Sequence, residues 1–296
     1  MPELPEVQAL VTDLGTRLTG KQIARLDIVA FQALKTYDPP VTALDGRTIT
    51  KIGRHGKYLD ITASSGEGAD AGGDDLHVVI HLARAGWLRW RANAPLATVR
   101  RGAGPLAARL VLDDGSGFDL TEAGTKKSLA VHVVRDPMDV ERVATLGPDP
   151  MSDAFTEQVL ADILSAAGRS QIKGVLRDQR LIGGIGNAYS DEILHVAKMS
   201  PFKPASMPPE DVHELYVAIR STLADAVARS DGLAASELKG EKKSNLRVHG
   251  RNGLPCPVCG DTVRQVIYAD STFQYCPTCQ TGGKPLADRV LSRLLK

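Results

Sequence analysis

Four cysteines stand at Cys256, Cys259, Cys276 and Cys279, a C-x2-C-x16-C-x2-C pattern inside the spacing window of a zinc ribbon. As thiolates they would hold one Zn2+ ion tetrahedrally, in a closed structural site with no open position for a catalytic water. In so small a ribbon the metal stands in for a hydrophobic core. A second group with chemical potential opens the chain, Met1-Pro2-Glu3-Leu4-Pro5-Glu6-Val7. Removal of Met1 leaves Pro2 with a free secondary amine. Alpha-amino groups titrate near about 8, against about 10.4 for lysine, so a fraction is neutral and nucleophilic around neutral pH. The positive end of a helix lowers that value further. A secondary amine that attacks a sugar C1′ gives an iminium, an electron sink for elimination, and Glu3 beside it would serve as acid or base. Local sequence alone favours the plainer reading, a helix-starting terminus.

The elements that must position these groups follow from periodicity. Val7, Leu10, Val11, Leu14 and Leu18 recur at helical spacing, with Pro5 suited to the first turn and Gly20 to the stop. From about residue 22 to 135 the pattern becomes short apolar runs: Ile23 to Val29, Tyr58 to Ile61, His77 to Leu82, Trp87 to Trp90, Arg109 to Leu112 and Val131 to Val134. These read as strands of a sandwich or barrel. Ser64 to Asp75 and Ala92 to Pro105 read as solvated loops. Leu146-Gly147-Pro148-Asp149-Pro150 breaks the pattern, and helical spacing returns beyond it in Phe155 to Leu164 and Val212 to Val227. Between those two segments, Gly183-Gly184-Ile185-Gly186 precedes a helix-like run, a turn whose amides could face an anion.

Composition bounds the partners. Of 296 residues 43% are hydrophobic and 24% charged, which argues against disorder, and no apolar run approaches the roughly 18 residues of a membrane helix. A net charge of +1 excludes holding polyanions by bulk charge, so any nucleic-acid contact must be local. The N-terminus lacks the basic and apolar regions of a secretory signal, which points to the reducing cytosol and to cysteines free of disulfides.

Four stretches occur together and in order: Met-Pro-Glu-Leu-Pro-Glu-Val at the start, Arg54-His55-Gly56-Lys57-Tyr58-Leu59, Gly183-Gly184-Ile185-Gly186-Asn187-Ala188-Tyr189-Ser190-Asp191-Glu192, and Leu246-Arg247-Val248-His249-Gly250-Arg251-Asn252-Gly253-Leu254-Pro255-Cys256. In them the chain resembles the formamidopyrimidine-DNA glycosylase and endonuclease VIII family of base-excision repair enzymes, over nearly its whole length. The resemblance implies a multidomain α+β fold. Its parts would be an N-terminal β-sandwich over 1–135, a linker over 136–150, a helix-two-turn-helix domain over 151–240, a zinc finger over 241–280 and an extension over 281–296, with DNA in the cleft between domains.

It also implies a bifunctional enzyme, acting as a monomer on double-stranded DNA that carries a damaged base or an abasic site. Pro2 matches the Schiff-base nucleophile and Glu3 the acid/base carboxylate. Glu6 matches a second family carboxylate, with capping of the helix as its alternative role. Lys57 matches the lysine that holds the phosphate flanking the lesion and donates a proton in β-elimination. Asn187 falls where the family grips phosphate, a position equally suited to a turn or helix cap. Lys173 and Arg177 lie just upstream as candidate phosphate contacts. From Lys239 to Arg251 five Lys or Arg face one Glu, among them Arg247 and Arg251, in a run that is either a soluble loop or a DNA-facing one. His55, His77, His81 and His249 have no spacing that marks them as general bases.

Two departures bear on function. The family commonly fills the gap left by an everted nucleotide with a Met after a His-Leu pair and with an Arg-x-Phe loop tip. Here Arg84 stands at the first position, and Thr121 to Ser128, with Lys126 and Lys127, replaces the second. The family finger also carries an arginine five residues before the third cysteine, assigned to phosphate holding and δ-elimination. This chain has Ser271 there, which can donate a hydrogen bond but supplies no cation. The expected function is a DNA glycosylase with AP lyase activity, removing damaged, oxidised bases. The alternative is a damage-binding protein of the same fold without strand scission. A general zinc-ribbon interaction module explains the finger alone. A short helix is expected within Thr281 to Lys296.

Overall fold

The computed structural model describes residues 1–65, 75–95, 104–267 and 272–287. The chain divides into two units: residues 1–145 with 230–238, and 146–229 with 239–296.

The first unit begins with helix α1 (Leu4–Leu18), whose buried face is Leu4, Val7, Leu10, Leu14 and Leu18. The strands that follow are β1 (Ile23–Ile28), β2 (Thr48–His55), β3 (Tyr58–Ser64), β4 (Leu76–His81), β5 (Gly86–Arg91), β6 (Leu106–Leu112), β7 (Gly117–Glu122) and β8 (Ala130–Val134), and the short helix α2 (Glu141–Ala144) comes after them. They form two antiparallel sheets, β1-β6-β7-β5 and β2-β3-β4-β8. Alternation decides the faces. Leu59, Ile61, Val78, Ile80, Val131 and Val133 of one sheet share a core with Leu26, Leu88, Leu110, Phe118 and Leu120 of the other, so the unit is a β-sandwich, and α1 adds its apolar face to the same core.

Two strands lie outside the apolar runs of the sequence. β2 is an edge strand with an exposed Lys51, and β7 buries Asp119 rather than an apolar residue at one position. That carboxylate is matched by Arg109 on the neighbouring strand, 2.6 Å away, and by Arg91 at 2.8 Å. The segment 230–238 also belongs here. Leu233, Ala235 and Leu238 join the sandwich core, and Trp87 Nε1 donates to the Ala235 carbonyl at 3.0 Å. The sequence pattern assigns 230–238 to the second half because it continues a helical segment.

The second unit contains α3 (Glu157–Ala167), α4 (Ile172–Arg177), α5 (Asn187–Val196), α6 (Pro209–Ser230), α7 (Leu238–Asn245), the hairpin β9 (Arg264–Ile267) and β10 (Thr272–Tyr275), and α8 (Pro277–Thr281). Phe155, Leu160, Leu164, Leu176, Ile182, Ile193, Leu215, Ile219 and Leu223 fill its helical core. Thr156 caps α3 by accepting the Val159 N–H. Half of the basic run from 239 to 251 is the helix α7, where the sequence suggests a loop. The stretches read as loops lie largely on 66–74 and 96–103, outside the described residues, as do Ser271 and residues 288–296. No helix among the described residues is long and apolar enough to cross a membrane.

Candidate functional site

In the first unit, Pro2 and Glu3 lead directly into α1 and both are buried. Glu3 is the N-cap, and its backbone N–H donates to Glu6 Oε2 at 2.8 Å. A carboxylate in the first turn both satisfies an orphan donor and complements the helix dipole. Helix α1 packs on β2 and β3, tied by Arg54 Nε donating to Gln8 Oε1 at 2.8 Å. The turn joining those strands is Gly56-Lys57, and Gly56 has a φ of +53°, the sign that the first central residue of a type II′ hairpin turn requires. Lys57 follows it and is 7% exposed. His81, across from Tyr58 on β4, is pushed down to about 4 by burial and then by the Lys57 and Arg142 charges. The imidazole is neutral in the physiological range and its ring lies 4.6 Å from that of Tyr58. His55 and His77 bracket Asp60, at 3.1 and 2.9 Å, on the same sheet.

Arg84 stands exposed on the turn between β4 and β5. The turn is tight, for Ala83 has a left-handed φ of +53° and a Cβ added at Gly86 would lie 2.0 Å from the Leu82 carbonyl oxygen. The segment after β7 carries Lys126, which is exposed, and Lys127, whose ammonium donates to the Glu122 carbonyl. Glu122 shapes this loop from beneath, where its buried carboxylate accepts the N–H groups of Ser128 at 2.8 Å and Leu129 at 3.1 Å.

In the second unit the glycine-rich turn is held by Gln179. Its Oε1 accepts the Gly184 N–H at 3.0 Å, and its Nε2 donates to the Ile185 carbonyl at 2.6 Å. Gln179 carries no sequence signal, since it acts through reach rather than spacing. Asn187 begins α5. Its Nδ2 donates to the Thr272 carbonyl at 2.7 Å, and its Oδ1 is buried without a partner among the described residues. Lys173, expected to touch phosphate, is a correction. It is 5% exposed, and its ammonium donates to Asp191 Oδ1 at 2.5 Å, Ser190 Oγ at 2.7 Å and the Asn187 carbonyl at 3.3 Å. A buried ammonium needs such partners, so its charge is spent internally. The other oxygen of Asp191 meets His249 Nδ1 at 2.7 Å.

Glu192 accepts the backbone N–H groups of Arg247, Val248 and His249 at 2.7 to 3.0 Å. Burial nonetheless raises its pKa above the usual carboxylate range. Arg247 is exposed on this segment, whereas Arg251 is half-buried with one Nη 3.4 Å from the Pro255 carbonyl. Lys242 lies over the Tyr189 ring at 4.5 Å.

The four cysteine sulfurs lie within 4.8 Å of one another and none forms a disulfide. Burial pushes the Cys276 thiol up to about 11 and Cys279 higher still. Four sulfurs packed this closely repel one another as thiolates unless a cation sits among them, and an all-sulfur tetrahedral set suits Zn2+. The donor set therefore fits the expected ion.

The model of the formamidopyrimidine-DNA glycosylase N-terminal domain matches residues 1–128, and that of the formamidopyrimidine-DNA glycosylase H2TH domain matches 146–237. A formamidopyrimidine-DNA glycosylase-like protein of Mycobacterium tuberculosis is 60% identical over 152 residues, covering 51% of this chain and 94% of that protein. The formamidopyrimidine-DNA glycosylase of Chloroflexus aurantiacus is 32% identical over 295 residues, covering 95% and 98%. The solved structure of Lactococcus lactis Fpg in complex with DNA containing an abasic site superposes with a TM-score of 0.79 at 25% identity, over 94% of this chain and 99% of that one. With the two domain models matching residues 1–128 and 146–237 and a relative 32% identical over 98% of its own length, the chain belongs to the formamidopyrimidine-DNA glycosylase family.

Proposed function

We propose that the protein is a base-excision repair glycosylase with AP lyase activity on duplex DNA. The observation that carries this is the head of α1, where Pro2 sits beside the buried Glu3 and the helix packs on the two strands whose turn bears Lys57. Once Met1 is removed, the Pro2 nitrogen attacks C1′ of a damaged nucleotide drawn out of the stack, and the glycosidic bond breaks as the base leaves with a proton. Glu3 assists base loss and opening of the sugar ring. The iminium then lets the C2′ proton depart and the 3′ phosphate leave, with Lys57 near that phosphate as proton donor. An oxidised base is the expected lesion, in line with the formamidopyrimidine named in the family.

Asn187 and the amides at the start of α5 grip phosphate, and Arg84, Lys126, Arg247 and Arg251 supply further contacts. Cys256, Cys259, Cys276 and Cys279 would hold one Zn2+, whose contribution is to fold the finger rather than to activate water. Ser271, in place of an arginine, weakens the second elimination, so β-elimination product exceeds δ product. The same change supports a second reading, a damage-binding protein that no longer cuts.

Borohydride reduction with abasic duplex DNA decides between them. The glycosylase reading expects a covalent adduct that Pro2→Gly weakens and an extra N-terminal residue abolishes. Binding without any adduct, from protein whose N-terminus is Pro2 by mass, overturns the nucleophile and favours the binding protein.

A further inference from the structure

Helix α5 presents Asn187, Asp191 and His195 at positions i, i+4 and i+8, one face of the helix. Each is joined to a different part of the finger. Asn187 holds the Thr272 carbonyl, Asp191 accepts the Gln274 N–H at 3.2 Å, and His195 Nε2 lies 3.3 Å from Cys256 Sγ. His195 is 3% exposed and Cys256 likewise 3%, so no bulk water competes for this contact.

The tautomer follows from what surrounds the ring. A metal-bound thiolate has only lone pairs to offer, so Nε2 must carry the proton. Nδ1 has no partner among the described residues. A proton there would be a buried orphan donor, with the Nε2 lone pair facing sulfur. Four thiolates around one divalent cation leave a net negative cluster, buried on its Cys256 and Cys276 side, and a donor aimed at one sulfur withdraws part of that charge.

We propose that His195 is the outer-shell partner of the zinc site, donating its Nε2–H to the Cys256 thiolate and thereby setting how firmly the finger retains its metal. This rests on the assignment of zinc to the four cysteines. His195 is a positioning residue, since it touches the metal only through sulfur.

The test uses the full-length protein. Metal analysis comes first, with one zinc per chain expected; a chain purified without stoichiometric zinc overturns the zinc assignment, and the proposal with it. Zinc transfer to a chromophoric chelator is then compared for wild type, His195→Leu and His195→Gln, with folding followed by circular dichroism. The leucine variant is expected to bind zinc about 10–100-fold more weakly. Its cobalt-substituted form should show sulfur-to-metal charge transfer at lower energy. The glutamine variant, which keeps an N–H donor, should stay near wild type in both. Unchanged retention and spectrum in His195→Leu, or equal loss in both variants, overturns the proposal. Should the leucine variant not fold, cadmium-113-substituted wild type still decides. Coupling between the metal and the His195 Nε2 proton is expected, and an imidazole protonated at Nδ1 instead overturns it.

Discussion

The backbone N–H of Glu3 donates to Glu6 Oε2 at 2.8 Å, so the second acidic residue of the N-terminal motif is spent on the main chain of the first. Both side chains are at most 2% exposed. Between the two roles open to Glu6, this geometry favours fixing the head of α1. Glu6→Ala is expected to cost about 0.5–2 kcal/mol, the usual value of a lost cap, and to lower borohydride trapping by misplacing Pro2. Glu6→Gln keeps an acceptor oxygen and should stay near wild type in thermal midpoint and trapping. A glutamine variant with normal stability but no trapping would move Glu6 into the chemistry.

Lys173 and Asp191 form an ion pair at 2.5 Å with side chains 6% and 0% exposed. Removing one partner of such a pair leaves an uncompensated buried charge, so Lys173→Met is expected to lose about 3–5 kcal/mol in urea denaturation. An exposed phosphate contact behaves otherwise. Its removal lowers the salt slope of DNA binding by about 1 with little effect on stability. Lys126→Ala should show that second behaviour. A Lys173 variant of normal stability with a reduced salt slope would restore Lys173 to the DNA surface.

Asp60, held between His55 and His77, gives the first unit a pH signature. The hydrogen bond to Asp60 holds His77 above its usual 6.5, so its contribution is complete below about 6.5 and is lost as pH rises through the raised value. Burial pushes Asp60 up, but the hydrogen bonds from His55 and His77 outweigh it and hold the carboxyl below 3.8. Its contribution is therefore complete above about 3.8 and lost as pH falls through the lowered value. His81 works in the opposite sense, since its imidazole, pushed down to about 4, penalises the fold as pH falls below about 6.5. The difference between wild type and His77→Gln removes that background. The gap in urea midpoint should be widest near about pH 5.5 and narrow by about pH 8.5; a gap that is equal at both would break the assignment.

The groups most legible in the sequence were those whose function is written in spacing. Four cysteines with two residues inside each pair lead directly to the cluster, and an apolar stripe from Val7 to Leu18 leads to α1. Groups that act through reach across the chain left no such mark. Gln179 holds a turn through its side-chain amide, Glu192 gathers three N–H groups 55 to 57 residues away, and His195 meets a cysteine 61 residues on. β7 was hidden because a buried carboxylate interrupts its apolar pattern, and that burial is made tolerable by Arg109 and Arg91 on the two flanking strands. Lys173 misled for the converse reason: a basic residue next to a phosphate-binding motif suggests a contact, while its charge faces inward to Asp191.

Ala83 is the residue next to Arg84, and its left-handed φ of +53° costs a non-glycine residue about 1–2 kcal/mol. Ala83 is only 6% exposed, so its methyl is enclosed while the neighbouring guanidinium projects outward. Strain held beside a residue proposed to enter DNA is the pattern expected when a turn must present one side chain rigidly. Ala83→Gly relieves the strain at the cost of a looser unfolded chain and a lost buried methyl worth about 0.8 kcal/mol, so stability is expected to stay within about 1 kcal/mol of wild type. The same variant should bind abasic duplex more weakly and discriminate less among bases opposite the lesion, because Arg84 loses its fixed direction. Arg84→Ala should reproduce the binding defect while leaving stability within about 0.5 kcal/mol. Titrations against duplexes that differ only in the opposing base, run beside thermal melts, measure both. A folded glycine variant with unaltered discrimination would show that the turn does not serve Arg84.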